Sequence, residues 1–385
     1  MTVGTTESRA AGPAPASAAA PETRVRIPKV TGTGAATLGG AAAGSLALTW
    51  ILYERVLPFS GVLGFWICWY AVFLVAYAGM AMIQWNRREA ADRLSTVAFS
   101  TGAALAFAVL AIVVGYALAK GWTAVQHLHF LTQTMEYAAP TAPLSDGGVL
   151  AAMVGSLEQI GLATLFSVPL GLTGALFLAS DVGGRLARPV RVIVEAMTGL
   201  PDIVAGLFIF SLFILSLHIL YCGVLAAAAL SVTMMPIIVR SAEVVIRLVP
   251  GTLREASYAL GGSQWRTVWN VILPTARPGL VTAIVLAMAR GVGETAPVLF
   301  TAGFTNNLNL NPFSGPQMNL PLFIWNYAHV IAEVPADFSR GFGAAFILVV
   351  VVLILFTTAR SLSGSAAGQL SRRQQRQLRR SAVNP

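Results

Sequence analysis

The sequence predicts an all-α integral membrane protein with eight spans and both termini in the cytoplasm. The chain is 56% hydrophobic and 11% charged, with a mean hydropathy of +0.72, whereas soluble domains carry about 25% charged residues. Eight apolar runs each come close to the ~20 residues that a bilayer needs. The basic residues cluster between alternate runs, as topology determinants do. Of the 25 Lys and Arg, all but Arg55, Lys120, Arg290 and Arg340 lie in the first tail, around Arg87 to Arg93, around Arg185 to Arg191, between Arg240 and Arg277, or from Arg360 on. The formal charge of +9 therefore marks sidedness and does not point to nucleic acid.

Residues 1–34 are rich in Ala, Pro, Thr and Gly without apolar periodicity, and read as a disordered cytoplasmic tail. Arg24, Arg26 and Lys29 precede a run that continues into further spans, so this is not a signal peptide. Spans near Ala35–Leu52 and Val62–Ile83, joined by Pro58-Phe59-Ser60-Gly61, make a transmembrane hairpin over 35–84. Trp66, Trp69 and Tyr70 at one end of the second span and Trp85 at the other suit an aromatic belt. A third span lies near Ser95–Ala119, and residues 121–148 read as an exposed extracytoplasmic loop. Spans four to eight lie near Val149–Ala179, Val190–Leu217, Gly223–Val239, Gly279–Phe304 and Phe342–Thr358, and a basic, glutamine-rich tail fills 361–385.

A polar and aromatic island separates spans six and seven. Thr252 to Leu260 suits a short helix that Gly261 and Gly262 stop, because glycine accepts left-handed caps. Ser263 can cap a second short helix, and Trp265, Val268, Trp269 and Ile272 give that helix one apolar face. Pro274 is expected to end it. Such a knob fits a groove on another protein, or, as an amphipathic loop, the lipid headgroups.

Glu255-Ala256, Leu260-Gly261 and Ile272-Leu273-Pro274 keep the spacing of a known motif. The stretch resembles the EAA loop of binding-protein-dependent ABC-importer permeases. In that family the loop sits in a cleft of the ATPase subunit, which implies a coupling role for Glu255, Ala256, Leu260, Gly261 and Pro274. The resemblance covers about Asp92 to Arg360 and includes Gly147-Gly148-Val149, Val168-Pro169-Leu170-Gly171 and Glu195 to Pro201. Gly293-Glu294-Thr295-Ala296-Pro297 and Gln317 to Trp325 are similar to the PstA-type permeases of phosphate importers. The resemblance implies a six-helix type I ABC importer permease core over 85–360, with a family-like transmembrane domain over about 149–360 and a coupling loop over 250–275. It further implies inorganic phosphate as substrate and the bacterial plasma (inner) membrane as location. The implied partners are a second homologous permease, an ATP-binding ATPase dimer on the cytoplasmic side and an extracytoplasmic phosphate-binding protein. The hairpin has no counterpart in that core, and Asp202 stands where a small hydroxyl residue is usual.

The chain offers no catalytic constellation. His127, His129, His218 and His329 lack metal-ligand spacing, and Cys68 and Cys222 sit in apolar runs. There is no Gly-x-x-x-x-Gly-Lys loop, so ATP is not bound that way and is expected to be used by the partner ATPase, with no cofactor on this chain. Charges inside spans cost about 2.5–3.5 kcal/mol each on insertion scales and call for a partner, water or a function. Glu195 suits an ion pair with Arg191 one turn before it. The Thr198-Gly199-Leu200-Pro201-Asp202 stretch must break its helix, which is tolerated where it lines a cavity or is buried in protein. Arg290 and Glu294 share a face of one helix, Ala283 to Phe304, either as a bare structural bridge or facing a path. The expected translocation path holds Arg290, Glu294, Asp202, Thr198 and Glu158. The competing readings are a permease for sulfate or molybdate and a proton-coupled carrier using Glu158, Asp202 and Glu294 as relay. The cytoplasmic Glu-Ala to Leu-Pro loop speaks against the carrier, which does not need it.

Overall fold

The computed structural model describes residues 32–56, 61–139, 142–180, 184–330 and 335–363, and among these every regular element is helical. The helices are α1 (Gly32–Ile51), α2 (Val62–Gln84), α3 (Arg87–Val125), α4 (Leu128–Thr132), α5 (Leu150–Ala179), α6 (Gly184–Gly199) and α7 (Asp202–Ile209). There follow α8 (Gly223–Arg247), α9 (Gly251–Ala259), α10 (Gln264–Thr267), α11 (Leu273–Gly293), α12 (Ala296–Leu299), α13 (Leu320–Trp325) and α14 (Pro335–Ser363). The expected N-terminal tail through residue 31, the Pro58–Ser60 part of the hairpin turn and the basic tail from residue 364 lie outside the described residues.

Seven of the described helices are long and apolar enough to cross a membrane, with α10 and α11 counted as one run, Gln264–Gly293. An eighth span arises only if α6 and the segment Asp202–Ser216 are taken together, and these two meet at 103°. The chain is thus a multi-pass helical membrane protein, and where Gly199-Leu200-Pro201 interrupts the backbone ladder the bent pair forms either a broken span or a re-entrant loop.

Two compact units divide inside α3, between Val109 and Leu110. In the first, α1 presents the small residues Thr37, Ala41, Ser45 and Thr49 at helical spacing, which lets α2 approach closely. Phe73 and Tyr77 of α2 stack on one another and pack with Ala41. The Thr37 hydroxyl donates to Gln84 Oε1 at 2.8 Å, and the Trp69 indole donates to the Ala42 carbonyl at 3.3 Å.

The second unit is built on α5 against α8, with α11, α13 and α14 closing its core. The stretch 121–148 departs from the expected exposed loop. Helix α3 runs on to Val125, α4 follows, and Phe130 and Met135 are buried in the core. The Val149 N–H donates to the Phe130 carbonyl at 2.8 Å, so the connection folds back on the bundle because it carries buried apolar anchors. The seventh span also differs at both ends. Pro274 does not stop a helix: α10 passes through a wide turn over Val268–Ile272 into α11, where the Leu273 N–H reaches back to the Val268 carbonyl. At the first turn of α11 the missing N–H of proline is tolerated. The far end falls at Gly293, not Phe304, because Glu294 turns extended (ψ 122°) and Pro297 opens the separate helix α12.

Candidate functional site

The two interrupted spans meet. Helix α7 starts at Asp202, just past the Pro201 break, and α11 ends one residue before Glu294. Arg290 on the last turn of α11 binds both carboxylates: Nη2 lies 2.7 Å from Asp202 Oδ2, and Nε lies 3.2 Å from Glu294 Oε1. A second contact clamps the same junction. A Cβ on Gly206 of α7 would stand 2.6 Å from Pro297 Cα, so only glycine lets the two backbones touch there.

The junction opens into a small cleft of about 100 Å3 lined by Thr198 and Leu200 from the α6 end, Asp202 and Ala205 from α7, Thr233 and Pro236 from α8, and Arg290. The Arg290 side chain is 53% exposed although it is doubly paired. A guanidinium has five N–H donors in a planar fork, so one that gives two to carboxylates keeps others for an anion. The Thr198 and Thr233 hydroxyls donate to the Val194 and Leu230 carbonyls of their own helices.

Of the expected path residues, Arg290, Asp202, Glu294 and Thr198 therefore gather at one junction. Glu158 is placed elsewhere. It accepts from the Gln317 amide within a buried network that the sequence had not marked out. There Gln159 donates to the Gln317 carbonyl at 2.9 Å and accepts from Asn319 at 3.0 Å, and Ser156 accepts from the Leu320 N–H at 2.7 Å. Gln159, Gln317 and Asn319 are amides inside apolar surroundings, and that contrast was the available signal.

The Arg191–Glu195 pair is not formed. Arg191 reaches Glu243 of α8 at 3.1 Å, and Glu195 takes Arg240 at 2.7 Å, because α6 packs on α8 and tertiary partners outcompete the neighbour one turn away. Glu243 is buried and also holds Arg247 at 2.7 Å. Arg340, expected outside the spans, is fully buried at the start of α14. It pairs with Asp337 at 3.0 Å and donates to the carbonyls of Ala142, Pro143 and Asp146.

The polar island forms the expected two-helix knob. Gly261 has φ +78°, and its N–H donates to the Tyr258 carbonyl. Ser263 caps α10 by accepting from the Arg266 N–H. Glu255, Ala256 and Pro274 are exposed, and Leu260 is 90% exposed. The apolar face splits: Ile272 packs inward with Ile246 and Leu280, while Trp265 and Trp269 point outward.

The chain thus carries a half-exposed arginine where two membrane helices break off, and an outward-facing helical knob. Comparison with known proteins gives its class, a transport subunit. Residues 168–363 match the family described as "Binding-protein-dependent transport system inner membrane component". The chain is 40% identical over 266 residues to "Phosphate transport system permease protein PstA 1" of Mycobacterium tuberculosis (strain CDC 1551 / Oshkosh), covering 69% of this chain and 86% of that protein. It is 33% identical over 288 residues to "Probable ABC transporter permease protein YqgI" of Bacillus subtilis (strain 168), covering 71% and 96%. Among solved structures, the MetNI methionine ABC transporter in inward-facing conformation aligns with TM-score 0.48 at 21% identity, over 56% of this chain and 94% of that one. The chain belongs to the family of inner-membrane components of binding-protein-dependent transport systems.

Proposed function

We propose that the chain is a permease subunit of an ATP-driven importer of inorganic phosphate in the bacterial inner membrane. With a second homologous permease it would enclose the pathway. An ATPase dimer would grip the Glu255–Pro274 knob from the cytoplasm, and an extracytoplasmic binding protein would deliver the anion. The relative named as a phosphate transport system permease supports the substrate. With eight spans and both ends inside, as the clustering of basic residues supports, the knob and the arginine-rich ends of α6 and α8 would lie on the cytoplasmic side. The domain plan is an accessory hairpin over 35–84, a permease core over 85–360 and terminal tails. The hairpin carries no intramembrane charge and is proposed as peripheral to the path.

The single observation that carries the anion path is Arg290, half-exposed to a cleft where two spans break. Its planar fork suits a phosphate bidentately, and the two carboxylates would keep the anion from binding too tightly to leave. The test is radiolabelled phosphate uptake and ATP hydrolysis by the whole complex in reconstituted vesicles. Arg290→Gln is expected to abolish uptake while the complex assembles and hydrolyses ATP, and Arg290→Lys to recover it only in part. Near-normal uptake by Arg290→Gln would reduce the cluster to a structural bridge.

A further inference from the structure

We propose that the path carries phosphate as its monoanion, dihydrogen phosphate, with Asp202 and Glu294 as the acceptors for its two P–O–H groups. The proposal rests on the phosphate-path reading and deepens it. An anion that reaches Arg290 enters between an aspartate oxygen at 2.7 Å and a glutamate oxygen at 3.2 Å from the guanidinium. Carboxylates are acceptors only and guanidinium is a donor only. A fully ionised oxygen placed beside a carboxylate oxygen is repelled. A P–O–H in the same place becomes a charge-assisted hydrogen bond. The monoanion has two such groups for two carboxylates, and two unprotonated oxygens for the remaining N–H donors of Arg290. The divalent form has one P–O–H and leaves one carboxylate facing a charged oxygen.

The groups packed around the site supply no further charge, and their hydroxyls already give their hydrogens to carbonyls of their own helices. From α6 comes Thr198, whose hydroxyl is bonded to Val194, and Glu195 of the same helix is held by Arg240. From α8 come Val232, Thr233, Pro236 and Ile237, with the Thr233 hydroxyl bonded to Leu230. From α12 comes the Pro297 backbone. Among the described residues the charged groups at the cleft are Asp202 and Arg290, which line it, and Glu294, which pairs with Arg290 beside it.

The test uses the complete complex in vesicles with binding protein already loaded with radiolabelled phosphate. The initial uptake rate per loaded binding protein is measured below and above neutrality, where phosphate passes from monoanion to dianion, and is divided by the basal ATP hydrolysis of the same vesicles. The wild-type ratio is expected to fall at least about tenfold across this range, the scale of one hydrogen bond to a charged group. Asp202→Asn and Glu294→Gln should each flatten the profile, since an amide neither repels the dianion nor demands its proton. Asp202→Glu should keep the wild-type slope. Should Asp202→Asn fail to assemble, Glu294→Gln carries the same expectation. A wild-type ratio that is level or rising with pH, or an amide variant that keeps the wild-type slope, overturns the proposal. If Arg290→Gln has meanwhile lost uptake, the path reading stands and only the monoanion falls. If Arg290→Gln transports normally, the path reading itself fails.

Discussion

Arg340 and Arg290 are both single arginines set among apolar residues, and they are held in opposite ways. Arg340 is fully buried, with one carboxylate and three backbone carbonyls accepting from its two terminal nitrogens and its Nε left without a partner. Arg290 holds two carboxylates and still keeps half its side chain exposed to a cleft. A charge that is enclosed and held by fixed oxygens of one small region ties elements together, here α14 to the segment 142–146. A charge that is balanced but open can exchange partners. Pairing alone therefore does not tell the two arginines apart, whereas access to the cleft does.

Replacing each arginine should break this contrast or sharpen it. Arg340→Ala should have the largest effect on stability, about 3–5 kcal/mol, because removing one partner leaves the other charge buried. It should read out as a large drop in the melting temperature of the purified complex, and the double variant Arg340→Met with Asp337→Leu should recover part of it. Next comes the junction that shapes the open site. Gly206→Val pushes a side chain into the Pro297 backbone, which cannot yield as a flexible side chain would. A loss of about 1–3 kcal/mol in stability is expected, with phosphate uptake falling further than the melting temperature implies. The smallest stability effect belongs to Arg290→Gln, about 0–1 kcal/mol as for exposed pairs, despite its expected loss of uptake. If Arg290→Gln melts as early as Arg340→Ala, the contrast collapses. At the knob, Gly261→Val forces valine to φ +78°; uptake is expected to fall in vesicles whose complex still forms, and undiminished uptake would remove the coupling role.

Much of this was readable because it depends on local chemistry. The Thr198–Asp202 break follows from proline, the Gly261 turn from a positive φ, and the Ser263 cap from its hydroxyl. The Arg290–Glu294 contact follows from the four-residue spacing, although Glu294 stands just past the helix end and not on the longer helix that was expected. What stayed hidden depends on which helices become neighbours. Asp202 meets Arg290 across 88 positions of sequence, and Arg191 prefers Glu243 on α8 to the nearby Glu195. Pro274 looked like a stop, yet the wide turn before it lets the helix continue. The Gln159–Gln317–Asn319 network needed two distant segments to be laid side by side before its amides made sense.

That uninterrupted run from Gln264 to Gly293 has a mechanical consequence. At 1.5 Å per residue it is a rod of roughly 45 Å, with Trp265 and Trp269 standing out near one end and Arg290 on the last turn at the other. Its compliant points, the wide turn at Val268–Ile272 and Pro278, lie in the half close to the tryptophans. Beyond Pro278 the shaft is an unbroken helix, so a push or tilt that passes these joints arrives at the arginine end as displacement. A lever of this kind needs no chain of relayed side-chain contacts: whatever grips the tryptophans already has a hand on the guanidinium.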